Sequence, residues 1–104
     1  MKGHNAGDRT LRAEIAACTR IMNMDGLIDY SGHISARLPG GEGLLVQSFD
    51  DSRAALEPEE LLVCDFDGNV LSGGAGKKPP REVFIHTEIM RARPDVNAVG
   101  HFHP

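Results

Sequence analysis

The chain has no tryptophan, one tyrosine (Tyr30) and four phenylalanines in 104 residues. Its core therefore cannot rest on aromatic rings and must be built from Leu, Ile, Val, Met and Ala. Long apolar runs are missing too: there is no stretch of about 18 such residues to span a bilayer, and no membrane partner is expected. Met1-Lys2-Gly3-His4-Asn5 has no apolar segment behind its charge, which argues against a signal peptide. The two cysteines, Cys18 and Cys64, are far apart, lack CxxC spacing and lie in apolar runs. They are expected to be buried thiols of a cytosolic protein, and the expected location is the cytoplasm. Dense basic clusters are also absent. The longest, Lys77-Lys78 with Arg81 nearby, suits a solvated loop, and the formal net charge is −4. No nucleic-acid partner is expected from that balance.

What is present is ordinary for a globular chain: 40% apolar and 25% charged residues. The length suits one domain covering residues 1–104, with a modest core. Leu11, Ile15, Cys18 and Met22, with Ile21 beside them, form a helical stripe between Asp8 and Met24. Arg9, Arg12, Glu14 and Arg20 fall off that stripe, and Gly26 can end the helix. Ile34–Leu38 alternates apolar and polar residues, then Pro39–Gly43 turns the chain into Leu44-Leu45-Val46, a predicted hairpin. Leu56–Glu60 is a predicted helical turn with a proline at its start. Leu61–Phe66 and Asn69–Leu71 are predicted strands around the Asp67-Gly68 turn. After a Gly- and Pro-rich loop at Ser72–Pro80, the spacing predicts a helix over Arg81–Arg93. Its apolar face would be Phe84, Ile85, Ile89 and Ala92, and Pro94 would close it. Val96–Phe102 is the last predicted strand. Helices covering a mainly antiparallel sheet make an α/β layered domain.

Chemistry concentrates in three places. In His101-Phe102-His103 the two imidazoles stand two residues apart, so on a strand they share a face about 6.6 Å apart along the chain. Two such rings can converge on one cation, although the spacing alone also suits an exposed strand end. Glu82 falls in the first turn of a predicted helix, where a carboxylate either complements the helix dipole or serves as an acid/base group. His86, one turn later, shares its face, and a polar-border structural role is expected for it. In Ser31-Gly32-His33-Ile34-Ser35, glycine allows close backbone approach, and His33 and Ser35 share a face; a plain turn into a strand explains the segment equally well.

In order, these elements resemble the class II aldolase/adducin family. The resemblance rests on Gly32-His33-Ile34-Ser35, Leu61–Gly68, Lys78-Pro79-Pro80-Arg81-Glu82, and the run from Arg93-Pro94-Asp95 through Ala98-Val99-Gly100 to His101-Phe102-His103. It covers nearly the whole chain from Asp8. It implies a three-layer α/β/α fold, here lacking its C-terminal part, and a homotetramer. It implies a divalent metal, most often Zn2+, held by His101, His103 and a third histidine beyond residue 104, with Glu82 as the acid/base group. A Glu at that place suits carbon–carbon lyases, whereas related epimerases carry Asp there.

One departure bears on the substrate. Sugar-phosphate aldolases of the family grip phosphate with an Asn and small hydroxyl donors. Here those places hold His33, Gln47-Ser48-Phe49 and Pro80-Arg81. Gly32, His33 and Arg81 are thus candidate substrate-binding residues, and Arg suits a carboxylate bidentately. The expected substrate is a small hydroxy or oxo acid, and the expected reaction is aldol cleavage or decarboxylation through a metal-stabilised enolate. The alternative is a non-catalytic, adducin-like or truncated interaction module. Two imidazoles without a third ligand should bind zinc weakly, and an incomplete layer should promote oligomerisation.

Overall fold

The computed structural model describes residues 6–28, 32–49, 51–73 and 76–102. Helix α1 runs Ala6–Met24, starting two residues before the expected Asp8. Its Leu11, Cys18 and Met22 pack around buried Ile15 and Ala16 as the stripe requires, while Ile21 is 54% exposed. Arg12, expected on the solvent side, is instead buried. Its guanidinium donates to the Pro58 and Leu61 carbonyls at 3.3 and 3.2 Å and pairs with Asp8 at 3.3 Å. Those bonds offset the desolvation of a cation whose stem lies along apolar surface. The expectation of two buried thiols holds for Cys64, which burial pushes up to about 11, whereas Cys18 is half-buried.

Among the described residues, five strands make one antiparallel sheet: β1 (His33–Arg37), β2 (Leu44–Val46), β3 (Leu62–Cys64), β4 (Val70–Ser72) and β5 (Ala98–His101). Their order is β4-β3-β2-β1-β5. The expected hairpin is present, with Ala36 opposite Leu45 and Arg37 opposite Leu44. The expected helical turn is a 3-10 turn at Pro58–Glu60. Between β3 and β4, the Asp65 carboxylate accepts from the Asp67 and Asn69 N–H groups, and Gly68 adopts φ 86° to complete the turn.

Strand alternation divides the core in two. Ile34, Ala36 and Leu45 join Ile15, Ala16, Ile28, Leu56 and Leu61 on the α1 side. Leu44, Val46, Leu62 and Cys64 face the other way and meet Val83 and Met90 of helix α2 (Val83–Ala92), together with Val99 of β5. A sheet covered by one helix on each face is the three-layer arrangement expected from the sequence.

The facing of α2 is the main correction. Phe84, Ile85 and Ile89 were expected to face the core, yet they are 53%, 42% and 39% exposed. Val83, His86, Thr87 and Met90 are buried in their place. The cause lies in β1, which sends Ile34 and Ala36 toward α1 and so leaves His33 and Ser35 on the face that α2 covers. A helix over a partly polar surface must turn polar groups inward to satisfy it. Arg37 holds that rotation by donating to the Met90 and Arg93 carbonyls at the helix C-terminus at 2.9 and 3.1 Å, and to the Val96 carbonyl just beyond it at 2.9 Å.

Two loops complete the frame. Lys77, expected to be solvated, pairs with Asp51 at 2.9 Å, and Asp51 also accepts from Ser48 Oγ at 2.8 Å. The Phe49 N–H donates to the Lys78 carbonyl at 2.7 Å. These bonds brace the segment that carries Arg53 to β1. Among the described residues, no helix is long and apolar enough to cross a membrane.

Candidate functional site

Backbone register assembles the site. His33 of β1 lies directly opposite His101 of β5, and Ser35 lies opposite Val99. Helix α2 covers this face and contributes His86, whose Nδ1 is 2.6 Å from Ser35 Oγ. The three ring centroids are 6.3 to 6.5 Å apart. One nitrogen from each of His33, His86 and His101 lies within 4.8 Å of the others, close enough to surround a cation. His33 and His86 are buried, and His101 is half-buried.

Gly32 lets the two strands meet so closely. Its φ is 98°, and a Cβ there would stand 2.9 Å from the His101 carbonyl oxygen. Its own carbonyl accepts from Arg53 Nε at 2.9 Å, and the same guanidinium reaches His33 Nε2 at 2.7 Å.

Glu82 immediately precedes α2, with φ −80° and ψ 8°, and makes no side-chain capping bond. It is half-buried, and its charge acts on the cluster, raising the affinity of both His33 and His86 for protons. Other effects dominate. Burial holds the His33 pKa down at about 4, helped by Arg53. Burial, followed by the charge of His101, holds His86 at about 4. Both rings are therefore neutral near pH 7, the form in which imidazole ligates a cation or makes directional hydrogen bonds.

Between about pH 6.5 and 4 the unfolded chain binds protons that the fold refuses. The stabilisation is complete above the upper value and is lost as pH falls through the lower one. Thermal melts of metal-free protein should be level above about pH 7 and fall steadily between about pH 6.5 and 4. His86→Gln should flatten the fall, and a level profile down to about pH 4.5 would contradict a pair of buried neutral rings.

The other sequence candidates are placed as follows. Arg81 is exposed and lines a cavity of about 400 Å³ with Phe49, Gly76, Lys78 and Pro79, a cavity that none of the three histidines lines. His103, paired with His101 as a ligand from sequence, lies outside the described residues. His86, expected at the polar border of its helix, is instead fully buried and stands inside the cluster. The available signal was its shared face with Glu82, one turn apart. Arg53 was not singled out at all, because it lies 20 residues from His33 in a loop without a motif.

The donor chemistry can be tested against a bound cation. A ligating imidazole needs a lone pair on the nitrogen facing the metal and normally donates its other N–H to an acceptor. His86 meets that requirement, since Ser35 Oγ can accept from Nδ1 and leave the Nε2 lone pair available. Nε2 is buried and has no partner among the described residues. Imidazole donors suit zinc and its neighbours in the first transition row. His86 thus fits a metal ligand, and His101 stands in the same group of nitrogens, with His103 two residues further along the chain.

The chain is similar to several curated proteins. It is 39% identical to 3,4-dihydroxyphthalate decarboxylase from Arthrobacter keyseri over 100 residues, covering 89% of this chain and 40% of that protein. It is 41% identical to methylthioribulose-1-phosphate dehydratase from Pseudomonas syringae pv. syringae over 73 residues, covering 70% and 34% of the two chains. Among solved structures, an aldolase II superfamily protein from Pseudomonas syringae superposes with a TM-score of 0.89 at 27% identity, covering 96% of this chain and 41% of that one. The chain therefore spans about two fifths or less of the length of these relatives. Residues 13–104 match the family described as Class II Aldolase and Adducin N-terminal domain. The strand register, the three-layer fold and this match agree: the chain belongs to the class II aldolase/adducin family.

Proposed function

We propose that the whole protein is a metal-dependent carbon–carbon lyase that acts on a small hydroxy or oxo acid, with decarboxylation as its reaction. The observation that carries this reading is the convergence of His33, His86 and His101 within 4.8 Å, with the charge of Glu82 acting on the same group. The similarity to a decarboxylase of an aromatic dihydroxy acid supports the choice among lyases. The cation is proposed to be Zn2+, held by His101, His103 and His86. When bound, it supplies Lewis-acid stabilisation of negative charge on neighbouring substrate oxygens.

The chain's own residues perform the rest. His33 is neutral and buried, and its proposed role is to contact the substrate beside the ligands. Helix α2 and the sheet exclude water from one side of the cluster, which strengthens every electrostatic contact there. Loss of CO2 leaves an electron pair on the substrate carbon. Glu82, unbound by any capping hydrogen bond, is free to carry the proton to that carbon. In the alternative aldol direction it would take the proton from the hydroxyl as the carbon–carbon bond breaks. Arg81 and Lys78 beside their cavity offer a second anchor for a carboxylate of the substrate. The protein is proposed to act as a homotetramer in the cytoplasm, and the exposed Phe84, Ile85 and Ile89 support a further packed surface on α2.

The test is a substrate comparison with the zinc-loaded whole protein. Hydroxy- and dihydroxybenzoic acids should release CO2 at rates that vanish on chelation and return with zinc. Turnover of ketose 1-phosphates, with none on carboxylic acids, would overturn the substrate assignment.

A further inference from the structure

His33 is held differently from His86. Its Nε2 lies 2.7 Å from an Arg53 terminal nitrogen, and the same guanidinium is anchored on the Gly32 carbonyl at 2.9 Å. Arginine has no acceptor and does not deprotonate in proteins, so Nε2 of His33 must accept. A neutral ring that accepts on Nε2 carries its proton on Nδ1. That Nδ1 is buried and has no partner among the described residues. A buried N–H without an acceptor is unfavourable, so the site is built to receive one.

Ligation of a cation would demand the opposite tautomer. With a metal on Nδ1, Nε2 would carry hydrogen and point it at the Arg53 N–H across 2.7 Å, donor against donor. Ser35 imposes no such demand on His86, because a hydroxyl either donates or accepts. Three rings of similar placement are thus chemically unequal.

We propose that Arg53 locks His33 as an Nδ1–H donor, so that His33 binds an oxygen atom of the substrate and is not a ligand of the cation. Arg53 is then a positioning residue that acts through His33. It braces the ring from behind and sets which nitrogen carries hydrogen. The choice of a carboxylate or phenolic oxygen as the acceptor rests on the lyase reading; the tautomer does not.

Nitrogen-15 NMR of the imidazole rings in the whole protein tests this directly. In metal-free protein near neutral pH, His33 should show a protonated Nδ1 and an unprotonated Nε2. Titration with zinc should shift nitrogens of His86 and His101 and leave the His33 tautomer unchanged. Arg53→Met should release His33 into a mixture with a large Nε2–H fraction, and Arg53→Lys, which keeps a cationic donor, should restore most of the native tautomer. His33→Gln should leave zinc affinity, read by competition with a chromophoric chelator, within about threefold, whereas His86→Gln should cost more than the roughly ten- to hundredfold that loss of a ligand's hydrogen-bonding partner costs. A wild-type Nε2–H form, or a His33 Nδ1 signal that moves with zinc as His86 does, would overturn the proposal without recourse to any variant. Failure of the protein to decarboxylate hydroxy acids, with the Nδ1–H form intact, would sink the lyase reading alone.

Discussion

Replacing Glu82 with Gln should lower turnover of a hydroxy-acid substrate by about two to four orders of magnitude. Gln keeps the size and polarity of the side chain and removes its charge together with its ability to carry a proton. The residue has no capping bond to lose, so helix α2 should form as before. The charge of Glu82 raises the proton affinity of His33 and His86, so its removal should lower both values slightly further. Zinc affinity should stay within a few-fold, because the nitrogens of the cluster are untouched. Retention of more than about a tenth of native activity in Glu82→Gln would remove this residue from the acid/base role.

The second large effect is expected at Gly32. An alanine there must hold φ near 98° and place its Cβ 2.9 Å from a backbone oxygen of His101. The left-handed conformation alone costs about 1–2 kcal/mol. The contact adds to it, because a carbonyl in a paired strand cannot swing away without breaking its ladder. Gly32→Ala should destabilise the fold by about 2–4 kcal/mol in denaturant unfolding. Relief is available only by separating β1 from β5 where His33 faces His101, so zinc affinity should fall together with stability. Gly26→Ala is the control: it too has positive φ, 80°, yet a Cβ there meets nothing within 4 Å. It should cost the conformational part only and leave zinc binding unchanged. Equal losses from the two substitutions would show that the close approach at Gly32 carries no weight.

Legibility varied along the chain for physical reasons. The α1 stripe, the hairpin and the two-strand turn at Asp67-Gly68 were readable because each is local: side-chain periodicity and turn stereochemistry belong to the backbone itself. The burial of Arg12 was not readable. Its partners are the carbonyls of Pro58 and Leu61, more than 40 residues away, and nothing in the helix reveals them. The same holds for Arg53, which touches His33 only because a braced loop returns to β1.

By itself, the sequence determined the family, the order of elements, and the positions of Gly32, His33, Glu82 and His101 as residues of interest. Tertiary structure alone decided how they meet. Register set His33 opposite His101, and the polar face of β1 rotated α2 so that His86 went inward while Phe84 and Ile85 went outward. An amphipathic pattern states which residues share a face of a helix. Which face is buried depends on what the neighbouring element presents, and here it presents His33 and Ser35.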